Sequence, residues 1–146
     1  MSMTMKRRIV LGVAGVIFIV VIPLVAMSCS RAREAAEAAS QEFRARITSG
    51  AYREIIQSAA PEFQNATTEL AFATAMEGVK QRLGPWQSSE VPTWKVFAGT
   101  SGPTVTLTYN SHFERGTAIE EFVWRVQQGR PALAGYHVKS SALVAQ

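Results

Sequence analysis

Alternation of apolar and polar residues in the second half of the chain limits the fold more than any other sequence feature. The alternation holds in four segments, residues 94–98, 104–113, 118–126 and 132–140, and short Gly-containing sequences separate them. Successive side chains of a strand point to opposite faces of a sheet, so each segment is typical of a strand with one buried face. Short links between consecutive strands predict a four-stranded antiparallel meander.

The first half of the chain has a helical period instead. Residues 31–49 place alanines, Phe43 and Ile47 on one side, and Gly50 follows as a stop signal. Similar patterns predict helices over residues 51–59 and 67–83, the last ended by Gly84 and Pro85. Helices that precede a meander predict an α+β domain in which the helices pack on one face of a curved sheet.

The alternation also assigns residues to the two faces of the sheet. Val138 and His137 are predicted to point inward and outward, respectively, and His112 outward. The face turned toward the helices carries several aromatic residues and one carboxylate. The predicted lining of the interior consists of Tyr109, Glu120, Phe122, Trp124 and Tyr136.

The amino-terminal segment is typical of an export signal or a membrane anchor. Lys6, Arg7 and Arg8 precede residues 9–27, a run of 19 residues without a charge. A cleavable signal has an apolar stretch of about 7–15 residues and a membrane-spanning helix has about 17–25, so the length fits either one. We therefore divide the chain into a signal peptide or transmembrane anchor, residues 1–29, and a single domain, residues 30–146.

Cys29 is the only cysteine in the chain and follows this run. Ser28 and Cys29 resemble the end of the lipobox of bacterial lipoproteins, in which the cysteine thiol receives a diacylglycerol; Ala26 and Met27 depart from that pattern. Cys29 is therefore either a lipid attachment point or the end of a membrane helix, and release after signal cleavage is the third alternative. The first two place residues 30–146 outside the cytoplasm in the bacterial cell envelope, at either the inner or the outer membrane.

The composition narrows the range of functions. From Cys29 onward there are 12 basic and 11 acidic residues, without the basic stripe that nucleic-acid binding requires. A single cysteine gives no internal disulfide and no zinc motif, and His112 and His137 lack neighbouring ligands in the sequence. We expect no nucleic acid, no metal and no cofactor.

The residues that carry a family resemblance are "GAYREIIQSAAPEF", "MEGVKQRLG", "VTLTYNSHFERGTAIEEF" and "GYHVKS". With these segments, residues 33–143 resemble small bacterial envelope domains of unknown function that have the nuclear transport factor 2-like cone fold. Enzymes of that superfamily hold acid–base residues inside the cone, commonly an aspartate or a histidine. This chain has no aspartate, and its histidines are predicted to point outward.

Two functions are consistent with these observations. The first is a non-catalytic, membrane-anchored module that binds a ligand or a protein, with the threonines and His112 of the outer sheet face as the surface for a homodimer or an envelope partner. The alternative is an isomerase or dehydratase that uses Glu120 as general base and Tyr109 or Tyr136 as hydrogen-bond donor. We favour the first, because a glutamate at a strand end usually reaches water or pairs with an arginine such as Arg115 or Arg44.

Overall fold

The computed structural model describes residues 27–144, so most of the predicted leader lies outside the described residues. Residues 27–49 are helical (α1), and the helices Tyr52–Ser58 (α2), Pro61–Ala66 (α3) and Glu69–Leu83 (α4) follow. Five strands come next: Trp86–Ser89 (β1), Thr93–Gly99 (β2), Gly102–Phe113 (β3), Gly116–Gln127 (β4) and Arg130–Lys139 (β5). A final turn of helix, Ser141–Val144 (α5), ends the described chain. The α+β class and the order of helices before an antiparallel sheet are confirmed.

The strands form one antiparallel sheet in which β3 and β4 are central. β3 pairs with β4 through residues 104–113, and β4 pairs with β5. On its other side, β3 pairs with β2 through residues 102–108 and with β1 through residues 111–113. β1 and β2 therefore follow one another along the same edge of β3, and Pro92 lies in the interruption between them. Proline is suited to this place because it cannot donate a ladder hydrogen bond.

The predicted count of four strands is wrong, because β1 adds a fifth. Its sequence, "WQSS", is short and lacks an apolar–polar alternation, so local pattern gives no strand signal there. Helix α3 is a second element that the sequence pattern did not predict. It begins at Pro61, where a proline is tolerated because the amide of the first helical residue has no intrahelical partner.

Two-residue turns connect the long strands. In the turn between β4 and β5, Gln128 and Gly129 both have positive φ angles, 51° and 74°. Positive φ at both central positions is typical of the type I′ turn, whose twist matches that of the flanking strands. This turn fixes the register in which β5 pairs with β4.

A bulge in β5 changes its predicted alternation. Val123 pairs with Gly135 but Trp124 pairs with Leu133, so Ala134 is an extra residue on β5. In a regular strand, residues three apart point to opposite faces. Because of the bulge, Leu133 instead points to the same face as Tyr136 and is buried in the core. Val138 is half-buried, and His112 and His137 are exposed as the alternation predicted.

The core lies between the helices and one face of the sheet. Phe43 of α1 and Phe72 of α4 contact each other, and Phe43 contacts Phe122 of β4 with ring centroids 5.2 Å apart. Phe122 is fully buried and also packs against the rings of Tyr109, Trp124 and Tyr136. Aromatic rings from both the helices and the sheet therefore meet in the predicted interior.

Candidate functional site

Glu120 is the centre of a buried polar cluster within this aromatic core. Its exposed fraction is 2%, although it lies near the beginning of β4. Arg44 of α1, itself 5% exposed, donates from Nη2 to Glu120 Oε2 over 2.9 Å. The expectation that Glu120 reaches water is wrong, whereas pairing with Arg44 is one of the two arginine pairings that the sequence suggested. The pair is protected because the surrounding rings exclude solvent from both side chains.

Arg115, the other arginine considered for Glu120, has a different role. Its Nη2 donates to the backbone carbonyls of Lys80 and Gln81, over 3.1 Å and 2.7 Å. Both carbonyls belong to the last turn of α4; that of Lys80 also accepts from the Gly84 amide, whereas that of Gln81 has no partner inside the helix. A cation at this end also interacts favourably with the helix dipole. Arg115 thus stabilises the end of α4 and takes no part in the Glu120 cluster.

Two hydroxyl groups complete the contacts of Glu120. Tyr136 on β5 donates from its hydroxyl to Glu120 Oε1 over 2.8 Å, and Ser111 on β3 donates to Oε2. Burial raises the pKa of Tyr136 well above its usual range, and the negative charge of Glu120 adds to this shift. Tyr136 therefore stays protonated and remains a donor to the carboxylate. Both oxygens of Glu120 are occupied by side chains of the protein.

A chain of hydrogen bonds extends the cluster to the edge of the sheet. The hydroxyl oxygens of Ser111 and Ser89 are 2.7 Å apart, and Trp86 donates from Nε1 to Ser89 Oγ over 3.0 Å. Ser89 and Trp86 lie on β1, the strand that the sequence pattern did not predict. Their roles could not be found from sequence, because they depend on the pairing of β1 with β3.

Aromatic rings surround the Arg44 guanidinium. Its central carbon lies 4.4 Å from the ring centroid of Tyr109, 4.9 Å from that of Trp86 and 5.3 Å from that of Phe122. Such contacts favour a cation that has lost its water. The same burial raises the pKa of Tyr109, and the positive charge of Arg44 opposes this shift. Tyr109 thus packs its ring against Arg44 and is not a second donor to Glu120.

A small cavity adjoins this cluster at the end of the interior where α1, α4 and the sheet meet. Its volume is about 80 Å³, and Arg44, Glu120 and Tyr136 contribute to its lining. Pockets for small-molecule ligands usually have about 300–1,000 Å³. The cavity can therefore hold only a very small molecule, and it is too small for the substrates of most enzymes with an enclosed site.

The remaining candidate residues lie apart from this cluster. Trp124 is buried and donates from Nε1 to Ser40 Oγ over 2.9 Å, so it connects α1 to the sheet at a second point. His112 Nε2 is 4.0 Å from Glu90 Oε1 on the surface. Within residues 27–144, no three His, Cys, Asp or Glu side chains are arranged to hold a metal ion.

Cys29 lies within the helical segment of residues 27–49 and is partly buried, and its thiol is in no disulfide. None of the helices in residues 27–144 has the length and apolar character needed to cross a membrane. The uncharged run that suggested an anchor lies outside the described residues apart from Met27.

The outer face of the sheet bears several exposed side chains. Phe97 on β2 is 74% exposed and Ile119 on β4 is 49% exposed. They lie on the same face as His112 and the three partly buried threonines, Thr104, Thr106 and Thr108, because Phe97 pairs with Thr104 and Ile119 with Asn110. This face therefore combines a polar centre with two exposed apolar side chains.

Comparison with known proteins gives no match to a family, to a characterised protein or to a solved structure.

Proposed function

We propose that the chain is a membrane-anchored, non-catalytic domain of the bacterial cell envelope that binds a ligand or a protein. The hydrogen bonds that Glu120 accepts from the protein carry the non-catalytic part of this proposal. Its two oxygens accept hydrogen bonds from Arg44, Ser111 and Tyr136. A general base needs a lone pair directed at the proton it removes, and the protein engages three of the roughly four lone pairs of this carboxylate, which leaves one on Oε1.

The fold assignment within this proposal is the nuclear transport factor 2-like cone. The order of elements supports it, because helices precede an antiparallel sheet whose inner face packs against them. The anchor rests on the basic residues 6–8, the uncharged run of residues 9–27 and Cys29. For a homodimer or an envelope partner, the proposed surface is the outer sheet face with Phe97, Ile119 and His112.

One contact favours the enzymatic alternative, an isomerase or dehydratase. The Tyr136 hydroxyl and the Glu120 carboxylate lie side by side at the cavity, which would place a donor and a base together. Only one lone pair, on Oε1, is left for a substrate, and freeing Oε2 would require Glu120 to release Arg44 and Ser111. Breaking a buried ion pair costs about 3–5 kcal/mol, so we rank this function second.

The intact mass of the protein from its own membranes tests the anchor. We expect a species that lacks residues 1–28 and carries a diacyl or triacyl modification. Cys29→Ala should lose the modification, and the adjacent Ser30→Ala should keep it as a control. An unmodified full-length mass would replace lipidation by a transmembrane anchor, and a shortened mass without lipid would contradict membrane anchoring altogether.

A further inference from the structure

The Arg44 guanidinium has hydrogen-bond donors that the protein does not use. Nη2 binds Glu120, but Nε and Nη1 are buried and find no acceptor among the described residues. Trp86 and Phe122 contact the cation without offering an oxygen acceptor, and Tyr109 offers a single hydroxyl. Buried donors are almost always paired in folded proteins, so two unpaired N–H groups on one side chain indicate a missing acceptor.

Arg44 also lines the cavity of about 80 Å³ described above. Since a cavity needs about 10–15 Å³ of such space to hold one water molecule, this cavity has room for only about six non-hydrogen atoms. Most of its other walls are apolar; they come from Phe43, Ile47, Met76, Val79, Pro85, Trp86 and Phe113. A molecule that fits must therefore be small and largely apolar, with one polar group directed at Arg44.

The charges around the cavity determine whether the polar group of the ligand can itself be charged. The positive charge of Arg44 is already compensated by Glu120, and Lys80 at the cavity forms an ion pair with Glu77 over 3.2 Å. A second carboxylate beside Arg44 would lie close to Glu120 and be repelled by it. A neutral oxygen would accept from Arg44 without this repulsion.

We propose that the cavity binds a small uncharged molecule whose carbonyl or amide oxygen accepts a hydrogen bond from Arg44 and whose short apolar group packs against the cavity wall. This inference rests on the proposed binding function and names its ligand class. Arg44 then has two roles in the cluster, neutralising Glu120 through Nη2 and binding the ligand through a remaining N–H group.

Propionamide and propionate form a matched pair of probes that differ in charge and hardly in size. We would follow the Arg44 side-chain N–H resonance of the isotope-labelled full-length chain by NMR, with Arg44→Lys to assign it. The shift of this resonance should reach a plateau as propionamide is added. Propionate should bind at least about 10-fold more weakly, because the Glu120 carboxylate repels its negative charge. An equal or tighter affinity for propionate would overturn the uncharged class.

Two variants of helix α4 test whether the cavity is the site. Val79→Phe fills the cavity from its apolar wall and should weaken propionamide binding at least about 10-fold. Leu70→Phe adds the same ring at an exposed position of that helix and should leave the affinity unchanged. If propionamide gives no saturable shift in the unsubstituted chain, the proposal fails whatever the variants do. That failure would leave the result of the Cys29 mass measurement, and with it the anchor, unaffected.

Discussion

At the scale of single residues, the defining feature is an ion pair placed inside an aromatic core. Arg44 and Glu120 are 76 residues apart in the sequence and both nearly fully buried. Burying two charges has a large desolvation cost, which the mutual attraction and the added hydroxyl contacts must offset. A buried pair of this kind contributes little net stability, but either partner becomes very unfavourable when the other is removed.

Replacing Arg44 alone should therefore destabilise the protein strongly. Arg44→Met leaves the Glu120 carboxylate buried without a cation, and we expect the free energy of unfolding to fall by about 3–5 kcal/mol. The double variant Arg44→Met/Glu120→Leu removes both charges and should regain about 2 kcal/mol or more of that loss. Urea unfolding followed by circular dichroism measures both.

The exposed pair Arg53–Glu69, with 3.2 Å between Arg53 Nε and Glu69 Oε2, gives a control for this prediction. Arg53→Met should cost less than about 1 kcal/mol, because water screens the charges that remain. If Arg44→Met destabilised the chain no more than Arg53→Met, the Arg44–Glu120 pair would not be buried as described.

At the scale of elements, glycines at helix α4 show how a helix is ended. Gly78 lies inside α4, and a methyl group added there would meet no atom within 4 Å. Gly84 follows the last residue of α4 with φ of 74°, and an added Cβ would lie 2.9 Å from Glu114 Cβ. Only Gly84 has a conformation and a neighbour that require the absence of a side chain.

The same substitution at these two positions should have opposite effects. Gly78→Ala should stabilise the protein by about 0.5–1 kcal/mol, since alanine loses less backbone entropy in a helix. Gly84→Ala should destabilise it, because alanine is strained at positive φ and crowds Glu114. Midpoints of thermal unfolding, compared with the unsubstituted chain, measure the two shifts. A stabilising Gly84→Ala would contradict the helix end described for α4.

At the scale of the whole molecule, one core joins the helices to the sheet. Phe122 contacts rings from α1, β3 and β5 as well as its neighbour Trp124 on β4. Helical and strand residues share these contacts. Unfolding either layer would therefore expose the buried side chains of the other to water. The described domain is therefore expected to unfold in one cooperative transition.

Two probes of unfolding should therefore coincide, and Phe122 should control both. Tryptophan fluorescence, which includes buried Trp124, and far-ultraviolet circular dichroism should give the same midpoint in urea. Phe122→Ala should lower the free energy of unfolding by about 3–5 kcal/mol through the cavity it leaves. Phe97→Ala, the same change at an exposed ring, should alter it by no more than about 0.5 kcal/mol. Separate midpoints for the two probes would contradict a shared core.

Sequence pattern alone was enough to predict the helices and strands that are long enough to repeat their period. Helices α1, α2 and α4 and strands β2–β5 agree with the predicted segments to within a few residues, and Tyr109, Glu120, Phe122 and Trp124 are buried on the predicted inner face. Local period suffices for these features because it specifies which face of a helix or strand is apolar.

The partners of the inward carboxylate depend on contacts that form only when the chain folds. β1 becomes a strand because β3 offers it an edge, the bulge at Ala134 turns Leu133 inward, and Arg44 reaches Glu120 across the interior. Each of these depends on distances between segments that are remote in sequence. Periodicity within one segment carries no information on such distances, so the sequence predicted the inward position of Glu120 but not the side chains that donate hydrogen bonds to it.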